Sequence, residues 1–72
     1  MADRGTLSSL IIDVDEDIRS TQKRLDKFKD SLRRLPNLAF ILDPLVYQAE
    51  QELARYAQRR ALLMAPLAEF DT

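Results

Sequence analysis

Between residues 7 and 35, apolar positions recur in alternating steps of four and three: Leu7, Ile11, Val14, Ile18, Thr21, Leu25, Phe28, Leu32 and Leu35. Eight of these nine are apolar and the pattern never slips, which predicts a coiled-coil-like amphipathic helix over 7–35. Thr6 is placed to cap its free amides. Pro36 is placed to end it at Leu35, because a residue before proline avoids the helical region. Acids gather early (Asp13, Asp15, Glu16, Asp17) and bases late (Lys23 to Arg34), an order that complements the helix dipole.

A second line of the same kind runs through Val46, Ala49, Leu53, Tyr56, Arg60, Leu63, Leu67 and Phe70. Asp43-Pro44 reads as its start, since aspartate caps amides and proline fits the first helical position. Pro66 removes a bond to the carbonyl of Leu62, so the helix is expected to end near Ala65 or kink there, leaving 66–72 as a tail in which 67–70 can add one more turn. The predicted fold is therefore all-α. It is a single antiparallel two-helix hairpin spanning 1–72, with helix 1 at 7–35, an apolar turn at 36–43 and helix 2 at 44–65.

Folding the two lines together about residues 36–43 makes facing residues sum to 81. Phe28 then meets Leu53, Leu25 meets Tyr56, and the two polar seam positions, Thr21 and Arg60, fall opposite each other. One polar layer in an apolar seam sets register at some loss of stability. Alternatively, Arg60 extends out of the seam and Thr21 bonds back to its own helix. The same alignment brings Lys29 near Glu50 and Asp17 near Arg59.

The stretch "LPNLAFILDP" contradicts ordinary loop chemistry, because connections are usually polar and this one holds Leu38, Ala39, Phe40, Ile41 and Leu42. Burying its large residues is worth ~1.5–3 kcal/mol each before ordering is counted. The turn is thus expected to fold over the hairpin end, to form a short third helix at 37–42, or to dock on another chain. Beside the second seam runs a line of small residues, Ala54, Ala57, Ala61, Met64 and Ala68, spaced to admit another helix. Leu10 and Ile12 lie off the main stripe of helix 1. The expected partner interface is Leu38, Phe40, Ile41, Leu42, Tyr47, Ala54, Ala57, Ala61, Met64 and Phe70.

Composition narrows the chemistry. Seventy-two residues with no cysteine and no histidine exclude disulfides and leave no ordinary zinc ligand set. A domain this small buries only about 60% of its unfolded surface, so a partner chain is the remaining stabiliser. The five apolar residues 38–42 fall far short of the ~20 that span a bilayer, and the N-terminus lacks a basic start with a long apolar core, so a cytoplasmic location is expected. Aspartates 13, 15 and 17 begin like a calcium loop. The glycine and glutamate such a loop requires are replaced by Ile18 and Arg24, so a solvated acidic face is the reading taken. Without a histidine, a cysteine or a glycine-rich loop, neither catalysis nor a cofactor is expected.

Residues 19–34 carry seven bases against two acids, and Lys23, Lys27 and Arg34 would supply phosphate contacts if nucleic acid were the partner. Net charge of −1 and the interleaved acids argue against it. The favoured expectation is a protein-interaction module that pairs with itself as a four-helix bundle, or covers an apolar groove on a larger protein. Adaptors, secretion co-chaperones and anti-activators work in this way. The layout, "LPNLAFILDP" followed by "YQAEQELARYAQRR", resembles the small hairpin proteins of bacterial type III secretion, needle subunits and co-chaperones. That resemblance implies two helices of similar length and a role in secretion. The short polar turn of the needle family is replaced here by an apolar one.

Overall fold

The computed structural model describes residues 3–70, which form two long helices joined by a single 3-10 turn. Helix α1 spans Arg4–Arg34, the turn spans Pro36–Leu38, and α2 spans Ala39–Glu69. The helices pack antiparallel, no strand occurs among the described residues, and the molecule measures 53 × 18 × 14 Å. An all-α hairpin is what the two apolar lines predicted.

The ends differ from expectation in instructive ways. Asp3, not Thr6, caps α1: its Oδ1 accepts a hydrogen bond from the Thr6 amide at 2.7 Å. Thr6 lies inside the first turn as the donor. At the other end α1 stops at Arg34, and Leu35 is the cap, with φ −129° and ψ 67°, outside the helical region as the following proline demands.

Helix α2 begins five residues before the expected Asp43-Pro44 start, so Pro44 sits inside it. The apolar turn predicted at 36–43 is therefore a three-residue turn followed directly by helix, and no separate third helix at 37–42 exists. Proline at this place removes one bond to the carbonyl of Phe40 and crowds it. Apolar packing compensates, because Leu42 extends the seam of Val46 and Ala49 by one more step of four, and both Leu38 and Leu42 are half-buried. Pro66 does not end the helix at Ala65 either. Helix α2 continues to Glu69, with Phe70 as its cap. Of the expected tail, 66–69 is helical, whereas Asp71 and Thr72 lie outside the described residues.

The shorter turn resets the register. Arg24 bonds Glu52 at 2.5 Å and Arg60 bonds Asp15 at 2.7 Å, pairs whose residue numbers sum to 76 and 75 instead of 81. Moving the centre of a hairpin from residue 40 to residue 37 or 38 shifts every cross-pair by five to six residues, about one and a half helical turns. Thr21 and Arg60 therefore do not form a layer. Arg60 leaves the seam for Asp15, and Thr21 is buried at 4% exposure. Arg24–Glu52 and Asp15–Arg60 form cross-helix ion pairs; Lys29–Glu50, which sums to 79, falls out of this register, whereas Asp17–Arg59, which sums to 76, stays within it without forming an ion pair.

The core is thin. Leu7, Ile11, Val14 and Leu25 of α1 are buried together with Thr21, whereas α2 contributes only Ala49. Ile18, Phe28, Leu32, Leu53, Tyr56, Leu63 and Leu67 complete the seam as half-buried residues. No described side chain larger than alanine is wholly enclosed. Two helices present only two edges of contact, and every seam residue borders solvent on one side.

Candidate protein-interaction surface

What the seam leaves outside is the notable feature. Ten large apolar residues are exposed, and seven of them lie on α2 or its cap: Phe40, Ile41, Leu45, Tyr47, Leu62, Met64 and Phe70. The helix is thus apolar on more than the face that meets α1. Phe40 is 74% exposed, Leu62 69% and Tyr47 64%.

The expected interface residues fall into two groups. Leu38 and Leu42 are half-buried at the turn, where they close the hairpin end. Phe40, Ile41, Tyr47, Ala54, Ala57, Ala61, Met64 and Phe70 are exposed along α2. Phe40 and Ile41 remain exposed, so of the large apolar residues expected in the turn only Leu38 and Leu42 fold onto the hairpin end. Sequence reasoning missed Leu45 and Leu62, and the signal that finds them is the helical wheel of α2 once its start is moved to Ala39. Leu10 and Ile12 are exposed on α1, at 42% and 57%.

Total exposed area, polar and apolar together, is also above that of a compact chain, as the elongated shape requires. A compact monomer of 8.3 kDa exposes about 4,600 Å² by the usual size scaling. This chain exposes 5545 Å². The surplus, about 1,000 Å², is comparable to the ~800 Å² that each partner buries in a stable protein interface.

Polar groups offer less. The concavity lined by Arg24, Phe28, Leu45, Gln48, Ala49 and Glu52 holds about 90 Å³, and wider, open depressions lie over Asp26, Lys29, Leu32 and Arg33 (about 450 Å³) and beside Tyr47, Gln51 and Arg55 (about 270 Å³). Asp13 and Asp17 are exposed on α1, while Asp15 is engaged by Arg60. Among the described residues, no three acidic side chains converge as a metal cage would require. Within the basic stripe Lys23 and Lys27 are exposed. Arg24 is engaged by Glu52, and Arg33 and Arg34 share Asp30, so three of its seven bases are paired with two carboxylates. Arg59 lies over the Tyr56 ring, 5.7 Å from its centroid, a cation–π arrangement within α2. Among the described residues no helix is long and apolar enough to cross a membrane.

No family model, curated protein or solved structure matches this chain, so the resemblance to type III secretion hairpins rests on layout alone.

Proposed function

We propose that this chain is a non-enzymatic protein-interaction module, a helical hairpin whose second helix is covered by another polypeptide. It works by occupancy, as adaptors, co-chaperones and anti-activators do: an apolar helix face shields a complementary face, and neither is left in water. The single observation that supports this reading is that seven of the ten exposed large apolar residues lie on α2 or its cap, with Phe40, Leu62 and Tyr47 the most open. Contiguous apolar patches of more than a few hundred Å² mark interaction sites in water-exposed proteins. Each of Phe40 and Tyr47 contributes ~1.5–3 kcal/mol when covered, which is large beside the ~5 kcal/mol total stability of a small domain.

A photo-crosslinking residue placed at Tyr47 tests the reading in the source cells. Covalent protein adducts at Tyr47, absent when the same residue is placed at Lys23 on the outer side of α1, are the expected result. Equal labelling at both positions, or none at Tyr47, overturns it. In the purified protein, Phe40→Ser with Ile41→Ser is expected to weaken association at least tenfold while far-UV helicity stays intact. Loss of helicity in that variant would mean that the two side chains belong to the private core.

A further inference from the structure

We infer that the polypeptide covering α2 is a second copy of this chain, packed antiparallel so that the aromatic end of each α2 lies over the alanine end of the other. The inference rests on the interaction reading above and specifies its partner.

The outer face of α2 has an order to it. Phe40, Tyr47, Ala54, Ala61 and Ala68 lie seven residues apart, on one face turned away from α1, and all five are exposed. The positions that share this face between them, 44, 51, 58 and 65, are exposed too, and none of the nine is charged in a chain that is 32% charged. Size changes steadily along the line: two aromatic rings at the turn end, three alanines at the other. A face of this kind has a simple complement in its own reverse. About a two-fold axis at Ala54, Phe40 meets the partner's Ala68, Tyr47 meets the partner's Ala61, and Ala54 meets its own copy. Large then packs on small at both ends, and at the axis alanine meets alanine, which lets the backbones approach. In a parallel pair, rings would meet rings at one end and the alanines would leave a gap at the other.

Charge favours the same direction. Within α2, residues 39–53 on the turn side of Ala54 carry three acids (Asp43, Glu50 and Glu52) and no base, whereas 55–69 carry three bases (Arg55, Arg59 and Arg60) and one acid (Glu69). The two halves of the helix are thus net negative by three and net positive by two. An antiparallel pair places each against its opposite, and a parallel pair places like against like. Area agrees as well. The surplus of about 1,000 Å² per chain, if covered in both copies, gives a total of about 2,000 Å², at the upper end of a standard interface.

The test uses the full chain, in which the absence of cysteine makes single replacements clean reporters. Light scattering at micromolar concentration is expected to give twice the monomer mass of 8.3 kDa. Under mild oxidation, Ala54→Cys is expected to form a covalent dimer at least tenfold faster than Ala68→Cys, because only the former sits at the two-fold axis within disulfide reach. Ala61→Arg, which sets a charge against the partner's Tyr47, is expected to yield a helical monomer. Equal rates at the two cysteines, or faster coupling at Ala68→Cys, overturn the antiparallel pairing. A monomer in light scattering overturns the second copy as occupant. If cellular adducts at Tyr47 then persist on a different protein, the interaction reading stands without this inference.

Discussion

Asp3 shows how one side chain sets an element's end. Its carboxylate accepts the Thr6 amide, and that bond holds its carboxyl below the ordinary value of 3.8. A lowered value in the folded state means that the ionised form is favoured by folding. The contribution is complete above pH 3.8 and disappears as pH falls through the folded value. The Thr6 amide proton resonance should therefore titrate with a midpoint below 3.8, and Asp3→Asn should remove that titration. A midpoint at or above 3.8 would show that the cap is absent in solution. Arg60 makes a different point. It occupies a seam position by spacing, yet its long side chain reaches water-exposed Asp15, and both groups remain about 40% exposed. Solvent screening keeps such a pair small, so a double-mutant cycle with Arg60→Met and Asp15→Asn should give a coupling below ~1 kcal/mol.

At the level of the helix, α1 and α2 have the same length and opposite characters. The first has one apolar stripe, and burying it leaves only Leu10 and Ile12 as large apolar residues exposed within the helix. Leu25 is at the centre of that stripe and 4% exposed, so Leu25→Ala should cost about 2–5 kcal/mol, enough to unfold much of the population at 25 °C by circular dichroism. Tyr47→Ser, on the outer face of α2, should leave the helicity of an isolated hairpin nearly unchanged. The second helix also carries two prolines inside it, at 44 and 66. Replacing Pro44 with alanine restores the amide that can bond the Phe40 carbonyl and relieves the ring clash. Pro44→Ala should accordingly raise stability, by up to ~3 kcal/mol on the helix-interior scale, and raise Tm in a thermal melt. A fall in Tm would indicate that the proline stabilises the hairpin through the unfolded chain instead.

For the whole molecule, the decisive quantity is the ratio of enclosed to exposed apolar surface. A two-helix hairpin has no interior in the sense of a three-layered fold, and its best-buried residues still border solvent. Its stability should therefore be coupled to whatever covers α2. If a second copy does so, folding and association share one equilibrium, and Tm should rise with protein concentration by several degrees between 1 and 100 µM. A Tm that stays constant over that range would show that the lone hairpin is self-sufficient.

How much of this was readable in advance depends on which interactions decide each feature. The two helices, their antiparallel packing and the stop before Pro36 follow from local rules: the steps of three and four from Leu7 to Leu35, and the avoidance of helix before proline. The exposed alanines of α2 also followed from periodicity, because residues off the seam have nothing to pack on in a hairpin, whereas Phe40 stood in the expected turn and its place on α2 did not follow. The start of α2 did not follow. Asp43-Pro44 is a strong local signal for a helix start, and only packing of Leu38 and Leu42 against the end of α1 outweighs it. Register followed the turn and not the pattern, since a heptad line matches its partner nearly as well when slid by one turn. Closing the connection in three residues instead of eight then moved Arg60 from Thr21 to Asp15. Periodicity acts within one helix and is written in residue spacing. Turn closure and cross-helix pairing are contests between segments, and those are resolved only when both helices are in place.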